Sequence, residues 1–198
     1  MITPSHVVYN LYLLGKRKRQ KILLAIVCGA IFPDIFSYSY FLWNGVIQKV
    51  PPSVLWGDLY IHSLWAPFFQ LAHSFWLLPL MLLLALYWKK HWAAYFWGSA
   101  LIHAIMDFTV HHKDAYMHFY PFSKWRFESP ISYWDIEYYG LWVSRAEMVL
   151  AIGACIVLFR RAKTKWGKLF YAVAAIGFLA LFILGFSHSV LRSQLMGG

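Results

Sequence analysis

Ionisable side chains that fall within otherwise apolar stretches of this 198-residue sequence are candidates for chemistry, foremost His6, Asp34, His73, His103 and Asp107. A charge inside such a stretch is costly, so these groups are expected to face a bundle interior or a wet cavity. Imidazole nitrogen and carboxylate oxygen together suit Zn²⁺ or another divalent transition metal. His103 and Asp107 stand at i and i+4, on one helix face and within reach of one ion, and His111 extends the stripe by another turn. The alternative for that stripe is an unmetallated hydrogen-bonded pair. His6 with Asn10, also at i and i+4, can equally bond between helices. Asp34 follows Pro33, whose ring frees a backbone carbonyl and kinks a helix. A carboxylate beside such a kink needs a partner, either a cation or a buried histidine.

The elements that must position these residues are helices in a membrane. Hydrophobic residues make up 61% of the chain and charged ones only 13%, well below the roughly 25% charged of a soluble domain. Apolar runs predict spans near 22–43, 68–88, 92–110, 141–159 and 169–187, with a polar cap over 111–139. The stretch from Ile2 to Leu14 is too short to cross and reads as a half-helix, with Thr3 as N-cap and Pro4 at its first position. The expected fold is all-α: a polytopic helix bundle of about five spans plus this half-helix, forming one membrane domain over 1–198.

Charge sets the expected orientation. Twelve of the eighteen Lys and Arg lie in three clusters, at 16–21, 89–90 and 160–168, and none of the eight Asp and Glu lies beside them. An excess of Lys and Arg marks cytoplasmic loops, so the N-terminus is expected inside and the C-terminus outside a bacterial inner membrane. The formal charge of +10 is thereby accounted for without a nucleic-acid partner. Trp43, Trp56, Tyr60 and Trp65, then Trp88, Trp92 and Trp166, then Trp125, Trp134 and Trp142 gather at the expected span ends as interfacial belts. Cys28 and Cys155 sit in apolar runs and offer no disulfide framework, and no signal peptide of the usual order precedes the first basic run. Counting helical rise from the cytoplasmic lysines puts His6, Asp34, His73, His103 and Asp107 at depths of roughly 15, 20, 24, 20 and 26 Å, one layer fed by four segments.

Thr3-Pro4-Ser5-His6, the Gly29 to Pro33-Asp34 segment, His73-Ser74 and His103-x3-Asp107 together resemble the YdjM-type membrane-bound metal-dependent hydrolases, a family similar to zinc-dependent phospholipase C. The stretch from His111-His112 through Pro121-Phe122-Ser123, Arg126-Phe127 and Ser129 to Asp135 is similar to an uncharacterised proteobacterial subgroup of such proteins. The resemblance covers the N-terminal two-thirds. It implies a metal bound by His6, Asp34, His73, His103 and Asp107, and phosphoester hydrolysis. Phe36 stands where the family often has a second acidic residue, and Tyr116 where the subgroup often has a histidine, so one ion is expected, zinc or else manganese.

In an enzyme of this kind Asp34 or Asp107 serves as base if not a ligand, and Arg126 holds a phosphate. The height of the layer points to a lipid or lipid-linked substrate from the surrounding bilayer. The competing expectations are a structural or assembly subunit of a larger membrane complex, docked to protein partners through the polar cap, and a carrier of protons or metal ions.

Overall fold

The computed structural model describes residues 1–55, 60 and 63–184, and among these every regular element is a helix, with no strand. Trp56, Asp58, His62 and residues 185–187 of the last expected span lie outside the described residues.

Helix α1 (Thr3–Leu14) is preceded by Ile2 in extended conformation, so Thr3 is not the N-cap but the first helical residue. Its hydroxyl is directed sideways to the Asp34 carboxylate and to Tyr38. Thr3 is already helical, one position too late to cap, and its hydroxyl donates instead to a charged acceptor, a stronger bond than one to a neutral group. Gly15 closes α1, and the chain reverses through a turn in which Arg17 takes φ 58°. Helix α2 (Gln20–Ile31) follows, tightens into a 3-10 turn at Phe32–Asp34, relaxes into α3 (Ile35–Tyr40) and widens into a π-helical stretch at Phe41–Ile47. The whole run from Gln20 to Ile47 is 28 residues of continuous helix. Its irregular turns lie at Pro33, where a backbone donor is missing, and at the end approaching α4 (Pro52–Leu55).

The next apolar segment is broken. Helix α5 (Ala66–Ala72) and α6 (Leu77–Tyr87) meet at 52° across His73 to Trp76. The freed backbone groups find one near partner and one distant one: Ser74 Oγ accepts from Leu77 N at 3.3 Å and Phe75 N donates to the His118 carbonyl at 2.8 Å. Helix α7 (His91–Phe108) then runs back beside α2. Helices α8 (Gly140–Arg161) and α9 (Lys165–Ile183) form a hairpin, α9 beginning at Thr164, whose Oγ1 accepts from Gly167 N at 3.0 Å.

Among the described residues three helical runs, Gln20–Ile47, Gly140–Arg161 and Lys165–Ile183, are long and apolar enough to cross a membrane, and the bent pair α5 with α6 makes a fourth if counted as one span. Helix α7, the remaining expected span, carries His103, Ser99 and Asp107 on its buried face, which lowers its apolar character.

The bundle is held by close backbone approach and by polar contacts. A Cβ on Gly29 would stand 2.1 Å from the Phe96 carbonyl oxygen, so α2 and α7 meet at a distance only glycine allows. Beside that point Ser99 Oγ donates to the Ile26 carbonyl at 2.7 Å, and Asn10 Nδ2 donates to Ser99 Oγ at 2.8 Å, linking α1, α2 and α7. Asn10 thus bonds between helices while His6, one turn earlier, is left for the site. Val8, Leu11, Ile26, Ala151 and Cys155 pack where α1, α2 and α8 meet.

Candidate metal centre

Asp107 ends the buried face of α7 one turn after His103, and both are all but inaccessible. Its carboxylate divides its neighbours between two oxygens. Oδ2 faces His103 Nε2 at 3.1 Å and His73 Nε2 at 3.6 Å. Oδ1 faces His6 Nε2 at 3.0 Å, His111 Nε2 at 3.5 Å and the Met1 amino nitrogen at 2.7 Å. Asp34, brought in by the 3-10 turn after α2, places Oδ1 3.6 Å from His103 Nε2, while Oδ2 takes the Thr3 hydroxyl.

The orientation of two rings defines what the site can bind. His103 Nδ1 donates to the Ala30 carbonyl at 2.7 Å and His73 Nδ1 donates to the Phe69 carbonyl at 2.9 Å. A neutral imidazole donating through Nδ1 has its lone pair on Nε2. Both lone pairs are aimed at carboxylate oxygens, a repulsive arrangement unless a cation, proton or metal, lies between. Backbone carbonyls that fix the far nitrogen are the usual outer support of metal-ligating histidines. His73 Nε2 is buried and has no hydrogen-bond partner, an expensive state for a polar atom with no ligand to serve. One ligand atom from each of Asp34, His73, His103 and Asp107 fits within 4.8 Å of all the others, so these four can hold a metal ion, and their chemistry suits one.

Rings wall the group. His6 stacks on His103 at 3.6 Å between centroids, and Tyr116 stacks on His73 at 3.7 Å. His6, the fifth expected ligand, is therefore drawn to Asp107 but stands outside the group of four. Arg126 is half-buried in the overlying loop and makes no hydrogen bond or ion pair to the four.

That loop, from His111 to Tyr139, has little regular structure but is fastened at several points. Ser129 N donates to the His111 carbonyl at 3.0 Å, Tyr133 N to the Val110 carbonyl at 2.9 Å and Trp76 Nε1 to the Tyr120 carbonyl at 2.7 Å. Burial opposes charge on His111, but Asp114, 3.0 Å away, and Asp107 outweigh it and raise the imidazole to about 9. Burial instead pushes His118 down to about 4, with His73 adding to the effect. Lys113 is bound by Glu137 at 2.6 Å and Asp135 at 3.2 Å, which holds its charge more firmly than usual.

Sequence reasoning passed over Glu147, a buried carboxyl in α8 whose Oε1 accepts from Ile2 N at 2.9 Å. The signal was present, since an acid amid the apolar residues of 141–159 meets the same criterion that singled out Asp34 and Asp107. The Met1 amine and the Thr3 hydroxyl were not legible, because neither is recognisable until α1 is docked. No family model, curated protein or solved structure matches this chain.

Proposed function

We propose that this chain is a membrane-embedded, metal-dependent hydrolase of phosphoesters that acts on a lipid or lipid-linked substrate, with one divalent ion, zinc or else manganese, held by Asp34, His73, His103 and Asp107. The observation that carries the reading is the buried Nε2 of His73, which has no hydrogen-bond partner and faces Asp107 beside His103 Nε2, itself set between Asp107 and Asp34. A divalent ion at that point supplies polarisation of a phosphoryl oxygen and a water acidified toward neutrality.

The chain's own groups supply the rest. Ala30 and Phe69 carbonyls hold the two imidazoles in the tautomer that presents Nε2. Thr3 fixes one oxygen of Asp34, which at 15% exposed is the most accessible of the four, and leaves the other free to face the ion. Tyr116 and His6 close the flanks and keep bulk water out. Lys113 is engaged by Asp135 and Glu137, which leaves Arg126 as the half-buried cation of the cap for a phosphate.

In this reading the chain crosses a bacterial inner membrane about five times, with α5 and α6 forming one broken span. The 18 residues of α7 rise about 27 Å, close to the roughly 30 Å hydrocarbon core. The basic clusters face the cytoplasm and the cap faces outside. The test is turnover by protein purified without chelators: the wild type releases phosphate or a phosphorylated headgroup from a phospholipid, and Asp34→Asn does not. Metal-free protein without turnover, purified in stable association with other membrane proteins, would instead favour an assembly subunit.

A further inference from the structure

A groove of about 730 Å³ runs along the outside of the bundle between α1, α7 and α8. It follows α8 from Val143 to Val157, fifteen residues that rise about 21 Å. Most of its wall is apolar. The Glu147 carboxyl and the Met1 amine on it lie at one level, joined through Ile2 N, which donates to Glu147 Oε1 at 2.9 Å. That level is the edge of the metal centre, because the Met1 nitrogen is 2.7 Å from Asp107 Oδ1. From Glu147 to Val157 the groove continues for another ten residues, about 15 Å, between Tyr12, Leu13, Leu150 and Ala154. Half of the roughly 30 Å hydrocarbon core is that same length, so the apolar part is as long as the acyl chain of one leaflet. Its floor is open at Gly153, where an added Cβ would meet nothing within 4 Å.

We propose that this groove seats the hydrocarbon chain of the substrate, a phospholipid-class amphiphile, with its headgroup at the level of Met1 and Glu147 beside Asp107. The assignment rests on the hydrolase reading above. Apolar area gives the chain its place, and the polar pair halts the headgroup at the height of the carboxylates.

Photolabelling separates the two claims. The full-length protein in liposomes of phosphatidylethanolamine and phosphatidylglycerol is irradiated with a phosphatidylethanolamine bearing a diazirine at mid-chain. Label should concentrate on Leu13 and on 150–157, and Gly153→Phe should remove most of it. Gly177→Phe on α9, where an added Cβ likewise meets nothing within 4 Å, should leave it in place. Label spread evenly over α8 and α9 in the wild type, or undiminished in a folded Gly153→Phe protein, overturns the groove. In the hydrolysis assay Gly153→Phe should lower kcat/KM for long-chain phospholipid about tenfold relative to a short-chain analogue. Groove labelling in a wild type that cleaves no phosphoester overturns the hydrolase reading and with it the substrate assignment, leaving only a lipid site.

Discussion

His103 Nε2 stands 3.1 Å from Asp107 Oδ2, one helical turn away, while its other nitrogen is committed to the Ala30 carbonyl of the neighbouring helix. The pair is therefore fixed from two helices at once, and the direction of the His103 lone pair is set by backbone rather than by a rotatable group. Such support shifts metal affinity when removed even though it never touches the ion.

Thr3 provides the cleanest test of that outer support. Its hydroxyl holds Asp34 Oδ2 and contacts Tyr38 at 2.7 Å. Thr3→Val keeps the shape and removes the donor, so metal affinity measured by competition with a chromogenic chelator should fall about 10-fold with the thermal midpoint nearly unchanged. Unaltered affinity would show that Asp34 does not depend on Thr3.

The contact of α2 with α7 should tolerate no side chain at its centre. Gly29→Leu drives a Cβ into the Phe96 carbonyl, and little folded protein should survive size-exclusion chromatography in detergent. Ser99→Ala only removes one link of the Asn10, Ser99 and Ile26 chain and should cost about 0.6 to 1.7 kcal/mol, read as a lowered midpoint.

How much of this was legible in the sequence depends on whether a residue signals by itself or only in company. His103 and Asp107 share a helical period, so their juxtaposition follows from spacing alone. Asp34 was recognisable beside Pro33 for the same local reason. The break at His73 to Trp76 was hidden inside a continuous apolar run. Its signals were modest, Ser74 as a capping oxygen and Pro79 in the first turn of α6, and the partners that stabilise it, His118 and Tyr120, come from more than forty residues away. The assignment of Thr3 as N-cap failed because the helix begins one residue earlier, with the apolar Ile2 in the cap position, where no side chain signals it.

Orientation is open to direct measurement. Reporter fusions after Lys89 and after Lys165 should read cytoplasmic, and one after Ser123 should read outside, as the basic clusters require. An outside reading at Lys165 contradicts the five-span arrangement.

The cap should resist attack as a unit. Lys124 is exposed, but the flanking chain is fastened through Tyr120, Ser129 and Tyr133 to Trp76, His111 and Val110. Trypsin added to the intact protein should cut near Lys124 or Arg126 slowly, and rapid cleavage there would contradict an ordered cap.

The metal content of the protein itself tests the central claim most directly. Purified without chelators and weighed by elemental analysis, the wild type should carry one zinc or manganese per chain, and His103→Ala or Asp107→Ala should lose most of it while still inserting in the membrane. A correctly inserted wild type that holds no divalent ion, and takes none up when zinc or manganese is supplied, contradicts the account.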